Sequence, residues 1–300
     1  MKSRISVVIP TIEEEAVFGL VERIRKLLGS NVEIIIVDKS SRSYYERLKS
    51  TGARVIRQKD SGVERAVLLG LRHTHGDIVA SIDGDGTHDP RGILEGVKIV
   101  ESGKADLVLG NRLGGLTKGS MKRYQIFGNK ALSRLFNAVY KTNVGDFLVG
   151  LFVMNRKALD AIRDIDAYRA GHAFFSIELA KRGFKIVDIP ISYYPRNYGE
   201  SKLTRSKLLY GVNVASHIIR LARDYNPLLV FGGLGLALII AGVALGSMVI
   251  LNFLATGTFT WIGRALMAFM LVVIGILSII AGFIIDLLIE IEKKVNRPSS

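Results

Sequence analysis

Two stretches without a single charged side chain, Pro227 to Leu254 and Ala265 to Ile285, limit what this chain of 300 residues can fold into. Each reaches the roughly 20 residues that a helix needs to cross a hydrocarbon core about 30 Å thick. In hydrocarbon every backbone N–H and C=O must be bonded within its own segment, so such runs read as membrane-spanning helices. The connection between them, around Asn252 to Gly263, carries no Lys or Arg, whereas Arg220, Arg223, Lys293, Lys294 and Arg297 flank the outer ends. That bias predicts an integral membrane protein with both termini and the N-terminal domain cytoplasmic and a short external loop. Met1 to Ile5 leads into a strand without the apolar stretch of a signal peptide, which agrees with that orientation. Neither run holds a charge that would serve a conducting or proton-relay path.

The net charge is +14 at pH 7, and all but one unit of it precedes Pro227. Nucleic acid is one partner for a basic domain, but no helix-turn-helix pattern, zinc spacing or aromatic RNA-binding signature is present. The expected partners are instead anionic headgroups and phosphorylated substrates, with no nucleic acid. The absence of Cys excludes disulfides and thiolate metal sites.

Before the apolar runs, strand patterns alternate with helix patterns. Strands are expected at Arg4 to Pro10, Val32 to Asp38, Arg54 to Arg57, Asp77 to Ile82, Ala105 to Arg112, Leu151 to Met154 and Lys185 to Ile191. Helices are expected at Glu14 to Leu28, Val63 to His73, within the basic segment Lys118 to Lys141, and at His172 to Lys181. The alternation predicts an α/β fold with parallel βαβ units in a doubly wound sheet. Leu203 to Asp224 shows apolar residues at helical spacing against Lys and Arg, which suits a helix in the headgroup region or one packed on the domain.

In such a sheet ligands sit beyond the carboxyl ends of the strands. Pro10-Thr11, Asp38 and Asp83-Gly84-Asp85 all fall there. The glycines around Asp83 and Asp85 let both carboxylates converge on one hard cation, Mg2+ or Mn2+, completed by substrate phosphates and water. Taken alone, Asp-x-Asp also suits a polar turn, and Asp38 serves equally as a helix cap or a nucleotide contact. Arg112 follows another strand end as a phosphate ligand or a solvated charge, and Asp146 follows Gly145 in a break after the basic segment.

With these residues assembled, the chain resembles family 2 glycosyltransferases of the type A nucleotide-sugar fold, in particular the polyprenyl-phosphate branch. Ile5 to Thr11 is similar to the family's opening strand, with Glu14 in its acidic tail, and Val37-Asp38 to its nucleoside-binding strand end. Asp83-Gly84-Asp85 resembles its metal and diphosphate motif, and Gly145-Asp146-Phe147 the segment with the acceptor-side aspartate. Arg196 with Gly199-Glu200-Ser201-Lys202 resembles its late basic loop facing the diphosphate. The resemblance implies a Rossmann-like, mainly parallel sheet in a domain over residues 1–202, a juxtamembrane amphipathic region over 203–225, and two transmembrane helices within 226–300.

It further implies an inverting, metal-dependent hexosyltransferase that moves a monosaccharide from a nucleotide sugar, GDP-mannose or a UDP-hexose, to a polyprenyl (dolichyl) phosphate for glycan assembly. Asp85 and Asp146 would be catalytic; Asp83 and Asp85 would hold the metal, with Thr87, His88 or water completing it. Pro10, Thr11, Glu14, Asp38, Asp83, Gly84, Arg112, Arg196, Ser201 and Lys202 would bind substrate. The chain departs from the family at Ile12-Glu13, usually Tyr-Asn, and at Lys39, usually acidic. Two other functions stay open: a synthase extending a glycan or lipid headgroup, and a catalytically silent nucleotide-sugar-binding membrane protein. Gly232-Gly233-Leu234-Gly235 and Gly242 suit close helix packing, including between subunits of a homo-oligomer.

Overall fold

The structure is a computed structural model that describes residues 3–164, 174–196, 212, 216, 227–259 and 261–295. It divides into two units, Met1–Ala215 and Ser216–Ser300. The region 203–225 lies almost wholly outside the described residues, as do Gly199, Glu200, Ser201 and Lys202.

Among its described residues the first unit has seven strands: β1 (Ile5–Thr11), β2 (Glu33–Asp38), β3 (Arg54–Arg57), β4 (Ile78–Ser81), β5 (Leu107–Asn111), β6 (Phe152–Asn155) and β7 (Ile186–Pro190). They form one sheet in the order β3-β2-β1-β4-β6-β5-β7. Helices α1 (Ala16–Leu28), α2 (Arg42–Lys49), α3 (Val63–Arg72), α4 (Arg91–Glu101), α5 (Arg123–Tyr140), α6 (Arg156–Ile162) and α7 (Phe174–Lys181) connect or cover them. Strands β1, β2 and β4 are apolar runs such as Val-Val-Ile and Ile-Ile-Ile-Val, buried on both faces because helices cover both sides. The inner stripe of α1, Val17, Leu20, Val21 and Ile24, packs into the same core as Val7, Ile9 and Ile36.

Parallel pairing sets the strand ends side by side, with Thr11 opposite Asp38 and Val8 opposite Ser81. One strand departs from the expected direction: β6 is antiparallel to both neighbours, pairing Ser81 with Phe152 and Leu109 with Phe152. Its start therefore lies at the edge where β4 and β5 end. Three short helices, α2, α4 and α6, join the four that were expected. The basic segment becomes helical only from Arg123, after a loop.

Among its described residues the second unit holds two long helices, α8 (Pro227–Thr256) and α9 (Ile262–Val295). Val230–Thr256 and Ile262–Leu288, 27 residues each, contain 18-residue stretches with mean hydropathies of 2.6 and 2.9, so both are long and apolar enough to cross a membrane. Glycine brings the two backbones together: a Cβ on Gly275 would stand 2.6 Å from the Gly235 carbonyl oxygen, and one on Gly242 2.8 Å from that of Ala268. Ser278 Oγ donates to the Phe231 carbonyl at 2.8 Å across the same contact. Gly235 and Gly242 thus serve packing within one chain, while Gly233 faces open space.

Candidate active site

After β4 the chain stays against β1, with the Ile82 N–H donating to Val8 O at 3.1 Å and the Gly84 N–H to Pro10 O at 3.3 Å. A Cβ on Gly84 would lie 3.0 Å from that Pro10 oxygen, and Gly86 has φ +74°, so the turn needs both glycines. The result is that Asp83 and Asp85 leave the sheet at its C-terminal edge. Gly150, just before β6, supplies the facing wall, since any side chain there would run into the Asp83 carboxylate.

Asp85 Oδ1 accepts from the Thr87 N–H (3.1 Å) and hydroxyl (2.8 Å), while Oδ2 stands 3.7 Å from Arg196 Nη2. Burial first, and then the neighbouring Asp85 charge, push the Asp83 carboxyl up to about 7 against the pull of Arg112 and Arg196. A carboxyl whose ionisation is opposed by a neighbouring carboxylate, with oxygen donors only, fits a hard divalent cation, which removes the repulsion. Among the described residues no group of three or more His, Asp and Glu gathers around one point, so phosphate and water would fill most of the coordination.

His88 stands behind this pair, buried, with Nδ1 3.1 Å from Thr87 Oγ1 and edge-on to Tyr193 at 5.2 Å. The Thr87 hydroxyl gives its proton to Asp85, so His88 Nδ1 must carry a proton to bond the same oxygen. Burial pulls the imidazole down to about 4 and keeps it neutral at pH 7. Thr87 therefore works as a brace for Asp85.

The second centre lies where the loop before β6 meets the end of β5. Arg112 donates to Asp146 through Nε (2.8 Å) and Nη2 (3.1 Å), and the Leu148 N–H adds a bond at 3.2 Å. Asp146 is fully buried and the Arg112 side chain only 14% exposed, so Arg112 is no solvated surface charge. Its guanidinium also lies 5.6 Å from the centre of the Tyr193 ring. Asp188 of β7 sets the loop, accepting from the Gly145 N–H at 2.8 Å and from Asn111 Nδ2 at 2.6 Å. Asp188 escaped the sequence reading, although an acid inside an otherwise apolar strand is a signal.

A third strand of chain ties the two centres together. The Tyr194 N–H donates to Thr87 O at 2.8 Å and the Tyr193 N–H to Gly115 O at 3.0 Å, so residues 192–196 bridge the carboxylate turn and the loop after β5. This delivers Arg196, whose Nη2 meets the buried Glu14 at 2.5 Å. Asp89 anchors the turn from below: burial would raise its pKa, but hydrogen bonds from Arg91 outweigh that and hold it below the ordinary carboxylate value.

The remaining residues gather around β1 and β2. Pro10 and Thr11 end β1, and Asp38 is fully buried, with Ser40 on Oδ1 and Arg57 on Oδ2 at 2.8 Å. Lys39, where the family usually has an acid, is tied to Ser61 Oγ at 2.5 Å. Glu13 adopts φ +49°, a conformation that Asn takes more readily, and its carboxylate accepts from the Ser41 N–H at 3.2 Å. Ser201 and Lys202 fall outside the described residues. The structure thus sets Asp83 beside Asp85, links Asp85 to Glu14 through Arg196, and pairs Arg112 with Asp146, while Asp38 is occupied in holding its own loop.

Residues 6–163 match the family described as Glycosyl transferase family 2. Among curated proteins the chain is 27% identical over 281 residues to the glycosyltransferase AglJ of Haloferax volcanii, covering 93% of this chain and 89% of that one. It is 30% identical over 193 residues to a dolichyl-phosphate hexose transferase of the same organism, covering 64% of this chain and 82% of the relative. With the dolichol-phosphate mannosyltransferase of Pyrococcus furiosus it shares 28% over 249 residues, 73% of this chain and 64% of the other. The fold is that of the glucosyl-3-phosphoglycerate synthase of Mycobacterium tuberculosis, solved with Mn2+, uridine diphosphate and phosphoglyceric acid. The TM-score is 0.56 and the identity 22%, over 73% of this chain and 78% of that one.

Proposed function

The chain belongs to glycosyltransferase family 2, and from that premise we propose that it moves a monosaccharide from a nucleotide sugar to the phosphate of a polyprenyl (dolichyl) lipid at a membrane. The reading is carried by one observation: the Asp83–Asp85 turn and the Arg112–Asp146 pair share the same sheet edge, bridged by residues 192–196. The names of the dolichyl-phosphate and dolichol-phosphate transferases among its relatives, and the two helices long and apolar enough to cross a membrane, support a lipid acceptor. The donor is GDP-mannose or a UDP-hexose. The catalytic domain is residues 1–202, with 203–225 juxtamembrane, 226–300 in the bilayer and its cytoplasmic tail, and both termini cytoplasmic.

An acceptor phosphate oxygen forms the new bond to the anomeric carbon while the bond to the nucleoside diphosphate breaks, the electron pair leaving with the diphosphate, so the configuration inverts. A Mg2+ or Mn2+ ion held by Asp83 and Asp85 would supply Lewis-acid stabilisation of the departing charge. Arg196, fixed by Glu14 beside Asp85, neutralises the same diphosphate. On the acceptor side Asp146 holds the Arg112 guanidinium in a set orientation, a fixed positive charge beside which a phosphate is neutralised. A phosphate monoester, with a second pKa near about 6, is already largely ionised at neutral pH, so Asp146 acts as a positioning residue with no proton to remove.

The test is transfer by the full chain in detergent, with polyprenyl phosphate, Mg2+ or Mn2+, and radiolabelled GDP-mannose, UDP-glucose or UDP-N-acetylglucosamine in separate reactions. Label enters the organic phase with one donor, needs the metal, and disappears in Asp85→Ala. Nucleotide binding without label from any donor would overturn lipid transfer in favour of a silent binding protein or another acceptor.

A further inference from the structure

Helix α5 has two unlike faces. Inward, Phe136 is fully buried and lies flat on Phe147, with ring centres 4.6 Å apart and planes within 3°. Asn137 brackets Val144, donating to its carbonyl at 2.9 Å and accepting from its N–H at 3.0 Å. These contacts hold the chain on both sides of Asp146. Outward, Tyr124 is 58% and Phe127 75% exposed, which leaves the apolar faces of both rings against water.

Arg123, Phe127, Lys130 and Arg134 recur at intervals of four, three and four residues, which places them on one stripe of the helix. Among the described residues Lys122, Arg123, Lys130 and Arg134 have no carboxylate partner, and the stretch from Lys118 to Lys141 contains no acid at all. Two exposed rings among unneutralised cations match the level of a bilayer where aromatic rings meet the ester region and cations meet phosphates.

We propose that this outer face of α5 is a docking surface for anionic lipid headgroups. A second copy of the chain would set like charges against each other, whereas a chain with two helices long and apolar enough to cross a membrane has a bilayer within reach. Charge complementarity commits the occupant to phosphate-bearing lipid, each cation near such a surface favouring contact by about fivefold. The inference does not depend on which sugar is moved. Its consequence is that the helix holding the Asp146 loop from within is itself held against the headgroups from without.

The test uses the full chain with its only tryptophan replaced, Trp261→Phe, and a probe introduced as Phe127→Trp. It is placed in nanodiscs of phosphatidylcholine, with or without phosphatidylglycerol, whose acyl chains carry bromine as a quencher. The emission shifts to shorter wavelength and is quenched several-fold more in the anionic discs, and high salt reverses the difference. Adding Arg123→Glu, Lys130→Glu and Arg134→Glu removes the quenching while circular dichroism stays unchanged. Equal, unquenched emission in both lipids overturns the proposal, and this comparison stands even if the triple variant fails to fold. An emission shift that grows with protein concentration in detergent, or on adding single-stranded RNA, without bromine quenching in discs, also overturns it, in favour of a second copy or of nucleic acid.

Discussion

The Asp83 carboxyl, pushed up to about 7 by burial and by Asp85, must release its proton before a cation can occupy the pair. The apparent affinity for Mn2+ therefore rises with pH up to about 7 and levels above it, and Asp83→Asn flattens that profile; calorimetry in buffers of different ionisation enthalpy reads the released proton. A wild-type affinity independent of pH would remove Asp83 from the ligand set. Stability reports this shift less cleanly, because two groups oppose each other. Between 3.8 and about 7 folded Asp83 keeps a proton that the unfolded chain has lost, so its contribution falls as pH rises. Folded His88 refuses a proton that the unfolded chain accepts between 6.5 and about 4, so its contribution falls as pH drops. At the second centre, Arg112→Ala leaves Asp146 buried and charged with one N–H partner, a loss of about 3–5 kcal/mol that appears as a lower melting temperature. Joint replacement by Arg112→Met and Asp146→Leu restores most of the stability but no transfer; unchanged melting of the single variant would show that the pair does not hold the loop. Both residues were singled out from sequence, but not their contact, because a bond between a strand end and a distant loop leaves no local pattern.

Among elements, long apolar runs were legible and compact helices were not. Helix α4 hides behind Gly92 and Gly96, poor helix formers that are there because a Cβ would stand 2.8 Å from Ile191 Cγ2 and 2.7 Å from Val153 Cγ2 of the sheet. Helix α2, Arg-Ser-Tyr-Tyr-Glu-Arg-Leu-Lys, buries only Tyr44 and Leu48, too few residues to show a period. The direction of β6 was unreadable for another reason: three buried residues in a row, Phe152 to Met154, have the same pattern in either direction. In the apolar pair, Gly235 and Gly275 sit against each other's carbonyls, so a larger side chain must separate the helices. Gly235→Leu is expected to lower the melting temperature of the protein in lipid discs, whereas Gly233→Leu, with open space around it, is expected to leave it unchanged. Equal effects of the two would mean that the close contact contributes nothing to stability.

At the level of the whole molecule, almost all the positive charge belongs to the first unit and almost all the uninterrupted apolar length to the second, a division that composition along the chain already displays. The mainly parallel sheet and the carboxylate turn were legible there too; the pairing of β5 with β7 and the strap of residues 192–196 were not, because they depend on which strands become neighbours. The reversed strand β6 has one more consequence. A parallel strand in its place would receive its incoming loop at the opposite edge of the sheet, far from Asp83. Running backwards, it lets everything between Arg112 and Gly150 leave the sheet at the edge that carries Asp83 and Asp85 and return to it there. Strands β1 to β4 carry the carboxylate turn as a socket, and this one continuous excursion brings Arg112, Asp146 and the facing Gly150 to it. Grafting residues 112–150 from a relative with another acceptor is expected to change the acceptor used while the preferred nucleotide sugar stays the same, read by competition among labelled donors; a switch of donor would show that the two halves are not separable. On this layout acceptor preference can drift over generations by changes in one continuous segment, leaving the socket untouched.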